Sequence, residues 1–389
     1  GQGVNSLTVN AINALSGVNT INHFLSSDAQ VTVPMSIASG AELYYNIGDA
    51  DTSIGMADGG NMFNLENISN SGGTFGVITS GDATLNGIQA GTLTGFNGVL
   101  SVTCEDVNLE GDNNFMDGNI DLVLNNSGWF NLSGTFGVKN DFSVNKIRIT
   151  GTGSDAQLIS ASGSVSILNE VVADDSTSDF TVTALNGDVQ IGSVGNLNEL
   201  EINAQNIVLQ NSDPAAALLI NVGKATFNST TGSAVALDGT IIAASDVTFT
   251  KGVNVTGNSA ITAGGNIDFG TGGSITGEAG AGLTLTSGNL IEAASIDMPG
   301  NLTVNGSLNV TQNIDNVGNL TINNGLVSVS GSADVSGALT LNGAGDSTVG
   351  GDLGVGGNMN ILAGNTLSAA NMNLGGSMNL AQGSSVTTD

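Results

Sequence analysis

The sequence contains very little of several residue types on which folding or chemistry often depends. Its 389 residues include one cysteine, one histidine, one tryptophan and three prolines. A single cysteine excludes an intrachain disulfide. His23 has neither a cysteine nor a second histidine near it to complete a metal site. Because proline cannot donate a hydrogen bond within a sheet, its scarcity favours continuous strand pairing.

Positive charge is also scarce. Five basic residues stand against 34 acidic ones, which gives a formal net charge of −29. The basic residues all lie in the middle of the chain: Lys139, Lys146, Arg148, Lys224 and Lys251. A nucleic-acid-binding surface and an anionic membrane surface both require a basic patch, so the sequence predicts neither partner. No apolar run approaches the ~18 residues of a membrane-spanning helix.

A short phrase repeats through the last third of the chain. It has the form Gly-x-Φ-x-Φ, where Φ is apolar, and it begins at Gly300, Gly318, Gly337, Gly357 and Gly376. The first apolar residues, from Leu302 to Met378, are separated by 18, 19, 20 and 19 residues. A fixed period of this length is typical of a solenoid, and alternation with period two predicts that each copy is a short strand.

The repeat predicts an all-β fold, a β-solenoid with coils of about 19 residues. Similar apolar pairs continue the period backwards through Leu283, Ile267 and Val247. A second series of pairs, which includes Leu308 and Leu353, lies between the copies and gives two or three strands per coil. Gly, Asn, Asp and Ser separate the strands, and we expect them to form corners through positive φ angles.

Three regions are predicted along the chain. Residues 151–389 form regular solenoid coils, and residues 26–150 form coils of the same style that are less regular. Residues 1–25 differ, because apolar residues from Val9 to Phe24 recur every third position. This segment is interpreted either as an amphipathic helix that caps the solenoid, or as short solenoid turns or a strand that docks onto a neighbouring subunit.

The densest group of acidic residues is a candidate calcium site. It contains six carboxylates: Glu105, Asp106, Glu110, Asp112, Asp117 and Asp121. Calcium prefers several oxygen ligands of this kind. The alternative is a solvated acidic face without a bound ion. No other cofactor is predicted.

The sequence predicts a protein without enzymatic activity. Cys104 alternates in step with Leu100 and Val102, so it is expected on the same, inward side of the strand. This indicates a buried thiol, and an intermolecular disulfide is the alternative. Paired carboxylates such as Asp174 and Asp175 allow a polysaccharide-acting β-helix enzyme as a remote alternative. Such enzymes usually display aromatic residues in their sugar groove, and the chain has one Trp and two Tyr.

The runs 263–270, 300–306 and 363–367 (Ala-Gly-Gly-Asn-Ile-Asp-Phe-Gly, Gly-Asn-Leu-Thr-Val-Asn-Gly and Ala-Gly-Asn-Thr-Leu) resemble repeats of the filamentous-haemagglutinin type. The resemblance covers roughly residues 180–389. It implies a right-handed parallel β-helix on an exported surface protein. The Asn-Pro-Asn secretion motif of that family is absent.

From the repeat and this resemblance we expect an extracellular or cell-surface protein with a structural role. The leading hypothesis is a subunit that assembles with itself into a filament or sheath. The alternative is an adhesin, or a stalk fragment of a longer exported protein. Surface glycans or neighbouring cells would be its partners in that second role. The first residue, Gly1, is compatible with an expected removal of a leader.

Overall fold

The computed structural model describes residues 18–22, 30–31, 35–55, 62–65, 68–88, 98–115, 119–125, 128–213, 215–231, 233–362 and 364–388. Within these residues the fold is all-β, without helices, and its stacked strands are parallel. The strands stack into a β-solenoid, which confirms the predicted fold class. The chain divides into two compact units, Gly1–Gly187 and Asp188–Asp389.

The first unit contains nineteen described strands. They are β1 (Val18–Asn22), β2 (Gln30–Val31), β3 (Met35–Ile37), β4 (Glu42–Asn46), β5 (Thr52–Gly55), β6 (Met62–Asn64), β7 (Ile68–Asn70), β8 (Thr74–Ile78), β9 (Ala83–Asn86), β10 (Val99–Cys104), β11 (Val107–Glu110), β12 (Asn113–Phe115), β13 (Asn119–Leu124), β14 (Phe130–Leu132), β15 (Thr135–Val138), β16 (Phe142–Ile149), β17 (Asp155–Ser160), β18 (Val165–Ala173) and β19 (Asp179–Ala184).

The second unit contains twenty-three described strands. They are β20 (Val189–Ala204), β21 (Ile207–Leu209), β22 (Leu218–Ser229), β23 (Val235–Leu237), β24 (Gly239–Ala243), β25 (Val247–Phe249), β26 (Gly252–Val255), β27 (Ser259–Ala263), β28 (Ile267–Asp268), β29 (Ser274–Gly277), β30 (Gly282–Ala293), β31 (Ser295–Asp297), β32 (Asn301–Val310), β33 (Ile314–Val317), β34 (Leu320–Asn323), β35 (Val327–Val329), β36 (Ala333–Val335), β37 (Leu339–Asn342), β38 (Gly345–Val355), β39 (Met359–Ile361), β40 (Asn365–Leu374), β41 (Met378–Leu380) and β42 (Ser385–Thr388).

Each coil of the second unit contributes strands to three parallel ladders, and we name each ladder after one buried residue. The Leu302 face runs through β22, β24, β27, β30, β32, β34, β37, β39 and β41. The Leu308 face runs through β22, β25, β28, β30, β32, β35, β38, β40 and β42. The Ile314 face runs through β21, β23, β26, β29, β31, β33, β36, β38 and β40. Long strands such as β32 turn a corner and belong to two faces.

The repeated phrase lies on one face. Leu302 pairs with Leu320, Leu320 with Leu339, and Leu339 with Met359, and all four are buried. The intervening Thr303, Thr321 and Thr340 point outward and are partly exposed. The predicted strand parity is therefore confirmed in this part of the chain.

The backward continuation of the repeat is correct at Leu283, which pairs with Leu302, but it was wrong beyond that residue. Ile267 pairs with Ile291, which places it on the Leu308 face, whereas Leu283 follows Ser259 on the Leu302 face. Leu353 likewise pairs with Ala333 on the Ile314 face and is not a successor of Leu308. All three faces alternate apolar and polar residues at similar intervals, so spacing alone cannot distinguish them.

Coil length differs between the units. The described residues make about 14 turns of about 21 residues. In the first unit the interval between paired residues ranges from 33, between Met35 and Ile68, to 9, between Ile54 and Phe63. The expected interval of about 19 residues holds for the last coils of the second unit, from Leu283 to Met378.

The glycines that open the phrase are required by close stacking. A Cβ added to Gly300 would collide with the carbonyl oxygen of Ala281, and one added to Gly337 with that of Gly318. None of the five phrase glycines has a positive φ angle. The expected reason for glycine is therefore wrong at these corners, because the constraint is the backbone of the preceding coil.

Aromatic rings fill much of the first unit. Phe136 lies against Phe115, Phe130 and Phe142, with ring centroids 6.1, 5.1 and 5.4 Å away. In the second unit Phe227, Phe249 and Phe269 stack at 4.9 and 5.3 Å on successive coils. The later coils are filled by aliphatic side chains.

One ladder of the first unit stops at β13. The sheet runs β1-β4-β8-β10-β13, and β13 pairs only with β10 among the described strands. Leu122 and Leu124, which follow Val102 and Cys104 in register, are only partly buried. They line a cavity of about 130 Å³ together with Phe142 and Val144. The wall of this unit is therefore open beside β13.

Of the predicted segment 1–25, the structure describes residues 18–22. These form β1, which pairs in parallel with β4 of the same unit. The other residues of that segment, including His23, lie outside the described residues. Its capping or docking role stays a prediction.

Candidate functional site

Many aspartates occupy corners, where each binds the backbone of the next coil. Asp51 accepts from the N–H of Asp82 at 3.0 Å, and Asp82 accepts from the N–H of Asp106 at 3.3 Å. Asp106 accepts in turn from the N–H of Trp129 at 2.7 Å. The same contact joins Asp112 to Thr135, Asp141 to Ser164, Asp188 to Asn206, and Asp246 to Asn266. These carboxylates satisfy corner N–H groups that lie outside the strand ladders.

The predicted calcium ligands do not form one cluster in the described part of the chain. Asp106 and Asp112 are corner acceptors for different residues, and Asp121 points outward from the middle of β13. Glu105 is exposed in the turn after β10. No group of three or more His, Cys, Asp or Glu side chains among the described residues is arranged to hold a metal ion.

The structure leaves part of this prediction open. Glu110 ends β11, and Asp117 lies outside the described residues. The calcium site therefore stays a prediction.

Two aspartates of the first unit have shifted pKa values with opposite signs. Burial raises the pKa of Asp82, the charges of Asp106 and Asp51 add to the rise, and the hydrogen bond from the Asp106 N–H opposes it. Hydrogen bonds from Thr177 to the Asp175 carboxylate, at 2.8 Å from both its hydroxyl and its N–H, lower the pKa of Asp175. The environment of Asp82, in a stack of corner aspartates, thus disfavours its ionised form, whereas the turn around Asp175 favours ionisation.

The single cysteine is buried inside the coil stack. Cys104 ends β10 and is 0% exposed, as its parity predicted. Burial raises the pKa of the thiol to about 12, with smaller contributions from Asp82 and Asp106. A thiol of this kind is neither nucleophilic nor accessible, so the structure favours the buried interpretation of Cys104.

The only tryptophan lies beneath two of the basic residues. Arg148 and Lys146, both on β16, lie over the Trp129 ring, with their charged groups 4.5 and 5.2 Å from its centroid. Neither cation has an ion pair among the described residues, where Lys224 with Glu199 at 2.7 Å is the ion pair found. Glu170 neighbours Lys146 in register, and Asp106 contacts the Trp129 backbone. The sequence alone does not reveal that these residues meet, because β14 and β16 are brought together only by folding.

The three faces of the second unit differ in charge. On the Ile314 face, Asp297, Asp315 and Asp334 are exposed on three successive coils. At the ~4.8 Å spacing of neighbouring strands, adjacent carboxylates repel by roughly 0.9 kcal/mol in bulk water. On the Leu308 face, Asp268 and Glu292 are adjacent in register.

The Leu302 face carries no charge on its outward side chains. These residues, which we call the uncharged face, are Leu219, Asn221, Thr240, Ile242, Ala260, Thr262, Thr284, Thr286, Thr303, Asn305, Thr321, Asn323, Thr340, Asn342, Asn360 and Asn379. The signal was present in the sequence at the second x position of the phrase, which is Thr or Asn in every copy, and at the residue after the phrase, which is Asn in the first three copies. These positions join into one surface only once the register between coils is known.

Comparison with protein-family models, with curated proteins and with solved structures finds no match to this chain. The described residues include no helix that is both long enough and apolar enough to cross a membrane.

Proposed function

We propose that this protein is a structural subunit that assembles with itself into an extracellular filament or cell sheath. The observation that carries the proposal is the translational repetition of its surface. Thr303, Thr321 and Thr340 occupy one outward column, and Asn305, Asn323 and Asn342 occupy the next. A second copy that packs beside such a surface finds the same contact at every coil.

Side chains in these columns are already ordered before any partner arrives. Asn323 donates to the Asn305 carboxamide oxygen at 3.1 Å, and Asn305 donates to the Thr286 hydroxyl at 3.0 Å. Ordering of this kind reduces the entropy that is lost when two surfaces associate. Contacts that are individually weak then add along the coil stack.

Sedimentation velocity and negative-stain microscopy of the purified chain test the proposal. We expect a concentration-dependent shift from monomers to extended, ordered assemblies. A chain that stays monomeric across a wide concentration range, at both low and high salt, contradicts the proposed function.

A second candidate, a surface adhesin for acidic polysaccharides, is favoured by the cluster of Trp129, Lys146 and Arg148. An aromatic ring can pack against the apolar face of a sugar, while a guanidinium binds a carboxylate in bidentate fashion. Against this role, Glu170 and Asp106 lie beside the cluster and reduce its local positive charge.

Binding of polygalacturonate, with neutral dextran as the control ligand, tests this second candidate. We expect Trp129→Ala and Arg148→Gln each to weaken binding by about tenfold, or ~1.4 kcal/mol. Lys251→Gln removes one exposed positive charge elsewhere and is the matched control. Equal losses in all three variants, or no binding by the parent chain, would rule out an acidic-glycan site at Trp129.

The resemblance to filamentous-haemagglutinin-type repeats remains part of the proposal. It is supported by the parallel β-solenoid and by the phrase at Gly300. A structural role without catalysis, and a location outside the cell, are proposed with it.

A further inference from the structure

The uncharged face of the second unit differs from its surroundings in composition. Its sixteen outward side chains extend over nine strands of the Leu302 face without one charged residue. The chain as a whole carries 34 acidic residues. Acidic residues appear only at the corners beside this face, where Asp238, Asp246 and Glu278 lie. The face thus has a neutral centre and an acidic rim.

Two apolar side chains occupy one end of this face. Leu219 and Ile242 are 44% and 38% exposed, and they belong to the small set of large apolar residues that are exposed among the described residues. They lie on adjacent strands, β22 and β24, next to Asn221 and Thr240 in register. Neutral polar residues around an exposed apolar pair are typical of a protein interface.

Charge decides which partner fits this surface. Two copies with a net charge of −29 each repel one another wherever their acidic faces meet. Along the uncharged face, the nearest carboxylates are those of the rim. Charges farther away than about 8 Å are largely screened at physiological salt. This face therefore allows two copies to approach more closely than the Ile314 or Leu308 faces do.

The available area is sufficient for a specific contact. Nine strands at ~4.8 Å spacing, each about five residues wide at ~3.3 Å per residue, present on the order of 700 Å². A standard interface buries about 800 Å² on each partner. One such contact is near that size, and repetition along an assembly strengthens it further.

We propose that the uncharged face is the surface through which a second copy of this chain packs laterally in the assembly. This inference rests on the proposed self-assembly and specifies its interface. The partner's own uncharged face lies opposite, because an acidic face there would bring its carboxylates close to those of the acidic rim. Thr303, Thr321 and Thr340 lie near the middle of the contact.

The test introduces the same charge on two faces of the same coils. Thr303→Asp with Thr321→Asp places two carboxylates on the uncharged face, on adjacent coils. Asn309→Asp with Ser328→Asp places two on the Leu308 face, also on adjacent coils. All four positions point outward, so both double variants should fold, and thermal unfolding checks this. Assembly is measured by sedimentation velocity at about 0.15 M salt.

We expect the first double variant to self-associate at least about tenfold more weakly than the parent, and the second to change by less than about threefold. High salt should partly restore the first variant. If the parent assembles and both variants assemble equally well, or are weakened equally, the lateral interface is elsewhere and the proposed self-assembly still stands. If the parent stays monomeric, both proposals fail.

A crosslinking measurement gives an answer that does not depend on charge. In a Cys104→Ser background, Thr321→Cys should crosslink between copies with a short bismaleimide, whereas Ser328→Cys on the Leu308 face should not. Efficient crosslinking through position 328 and none through position 321 would overturn the assignment of this face.

Discussion

Both units stack coils of parallel strands around a buried core, but their coils differ in regularity. In the first unit the interval between paired residues ranges from 33 to 9, and large rings such as Phe136 fill the changing cross-section. In the last coils of the second unit the interval stays between 18 and 20, and aliphatic residues such as Leu320 repeat at one position. A constant coil length keeps outward residues in straight columns as well. Regular packing inside therefore produces a regular surface outside, which the first unit lacks.

The largest expected effect tests the regular unit. Leu339→Asp buries a carboxylate at a position that is 3% exposed, between Leu320 and Met359. We expect a loss of several kcal/mol in the free energy of unfolding, because the charge is unpaired and the neighbouring coils cannot relax around it. Thr340→Asp, one residue later and outward, should cost less than about 1 kcal/mol. Urea denaturation of both variants checks this, and equal losses would contradict the parity of β37.

The next effect compares ring packing between the units. Phe136→Ala should cost ~3–5 kcal/mol, because Phe136 contacts three other rings. Phe249→Ala removes a ring stacked between Phe227 and Phe269, and its cost should fall in the lower part of that range because Phe249 contacts two rings and not three. The measurement is urea denaturation. A larger loss for Phe249→Ala would contradict a dependence on the number of neighbouring rings.

A third prediction concerns the open wall beside β13. Cys104 should react with a maleimide only after unfolding, because it is 0% exposed and burial raises its pKa to about 12. Leu124→Cys in a Cys104→Ser background moves the thiol one coil onward in register, to a partly exposed position. We expect native-state labelling to be at least about a hundredfold faster there. Equal labelling rates would indicate that the wall is closed at β13.

The fourth prediction isolates the stacking of corner glycines. Gly300→Ala forces a methyl group against the Ala281 carbonyl and should cost ~1–3 kcal/mol through overpacking. Gly195→Ala is the matched control within the same unit, because an added Cβ there meets nothing within 4 Å. Thermal unfolding of both variants distinguishes them. Similar melting temperatures for both would contradict a steric reason for glycine in the phrase.

The smallest expected effect is a pH dependence in the first unit. The raised pKa of Asp82 means that this group stabilises the fold most at low pH, and that its contribution is lost as pH rises through the folded-state pKa. Asp175 has the opposite sign, since its lowered pKa gives stability above the unfolded-state pKa that is lost as pH falls. Asp82→Asn keeps a side-chain oxygen that can accept from the N–H of Asp106. It should reduce the loss of stability that the parent shows as pH rises.

The Asn substitution at position 175 serves as the control. Asp175→Asn should instead remove stability near neutral pH and leave the acidic range unchanged. The melting temperature of each variant minus that of the parent is measured from about pH 2 to 7. This difference should rise with pH for Asp82→Asn and fall with pH for Asp175→Asn. Changes of the same sign in both variants would contradict the assigned causes of these pKa shifts.

Much of the architecture was predictable from the sequence, and the limits have physical causes. The length of the repeat and the alternation of inward and outward residues are local properties of the sequence. The strands at Leu302, Leu320 and Leu339 could therefore be predicted. Register between faces is not local. The string Gly-Thr-Phe-Gly-Val occurs in both β8 and β15, yet these strands belong to different sheets. Only the lengths of the intervening corners decide this.

The candidate surfaces show the same limit. The threonines of the uncharged face can be read from the sequence, but only the register between strands shows that they form one surface. Trp129 and Arg148 are nineteen residues apart, and they meet because β14 pairs with β16 after a coil shorter than its neighbours. The acidic residues from Glu105 to Asp121 were interpreted as ion ligands because their density is visible in the sequence. Their corner hydrogen bonds depend on backbone positions that the sequence does not reveal.

The corner aspartates also give the coil stack a direction. In every corner contact described above, the carboxylate belongs to the earlier coil and the N–H donor to the later one. A chain that folds from its N-terminus therefore always presents acceptors already fixed in place for the segment that follows. We expect protection against pulse-labelling hydrogen exchange during refolding to appear first in early coils and last in late ones. The coils would then fold in order from the N-terminal end, each on the one before it, which suits a chain that becomes available for folding from its N-terminus onward.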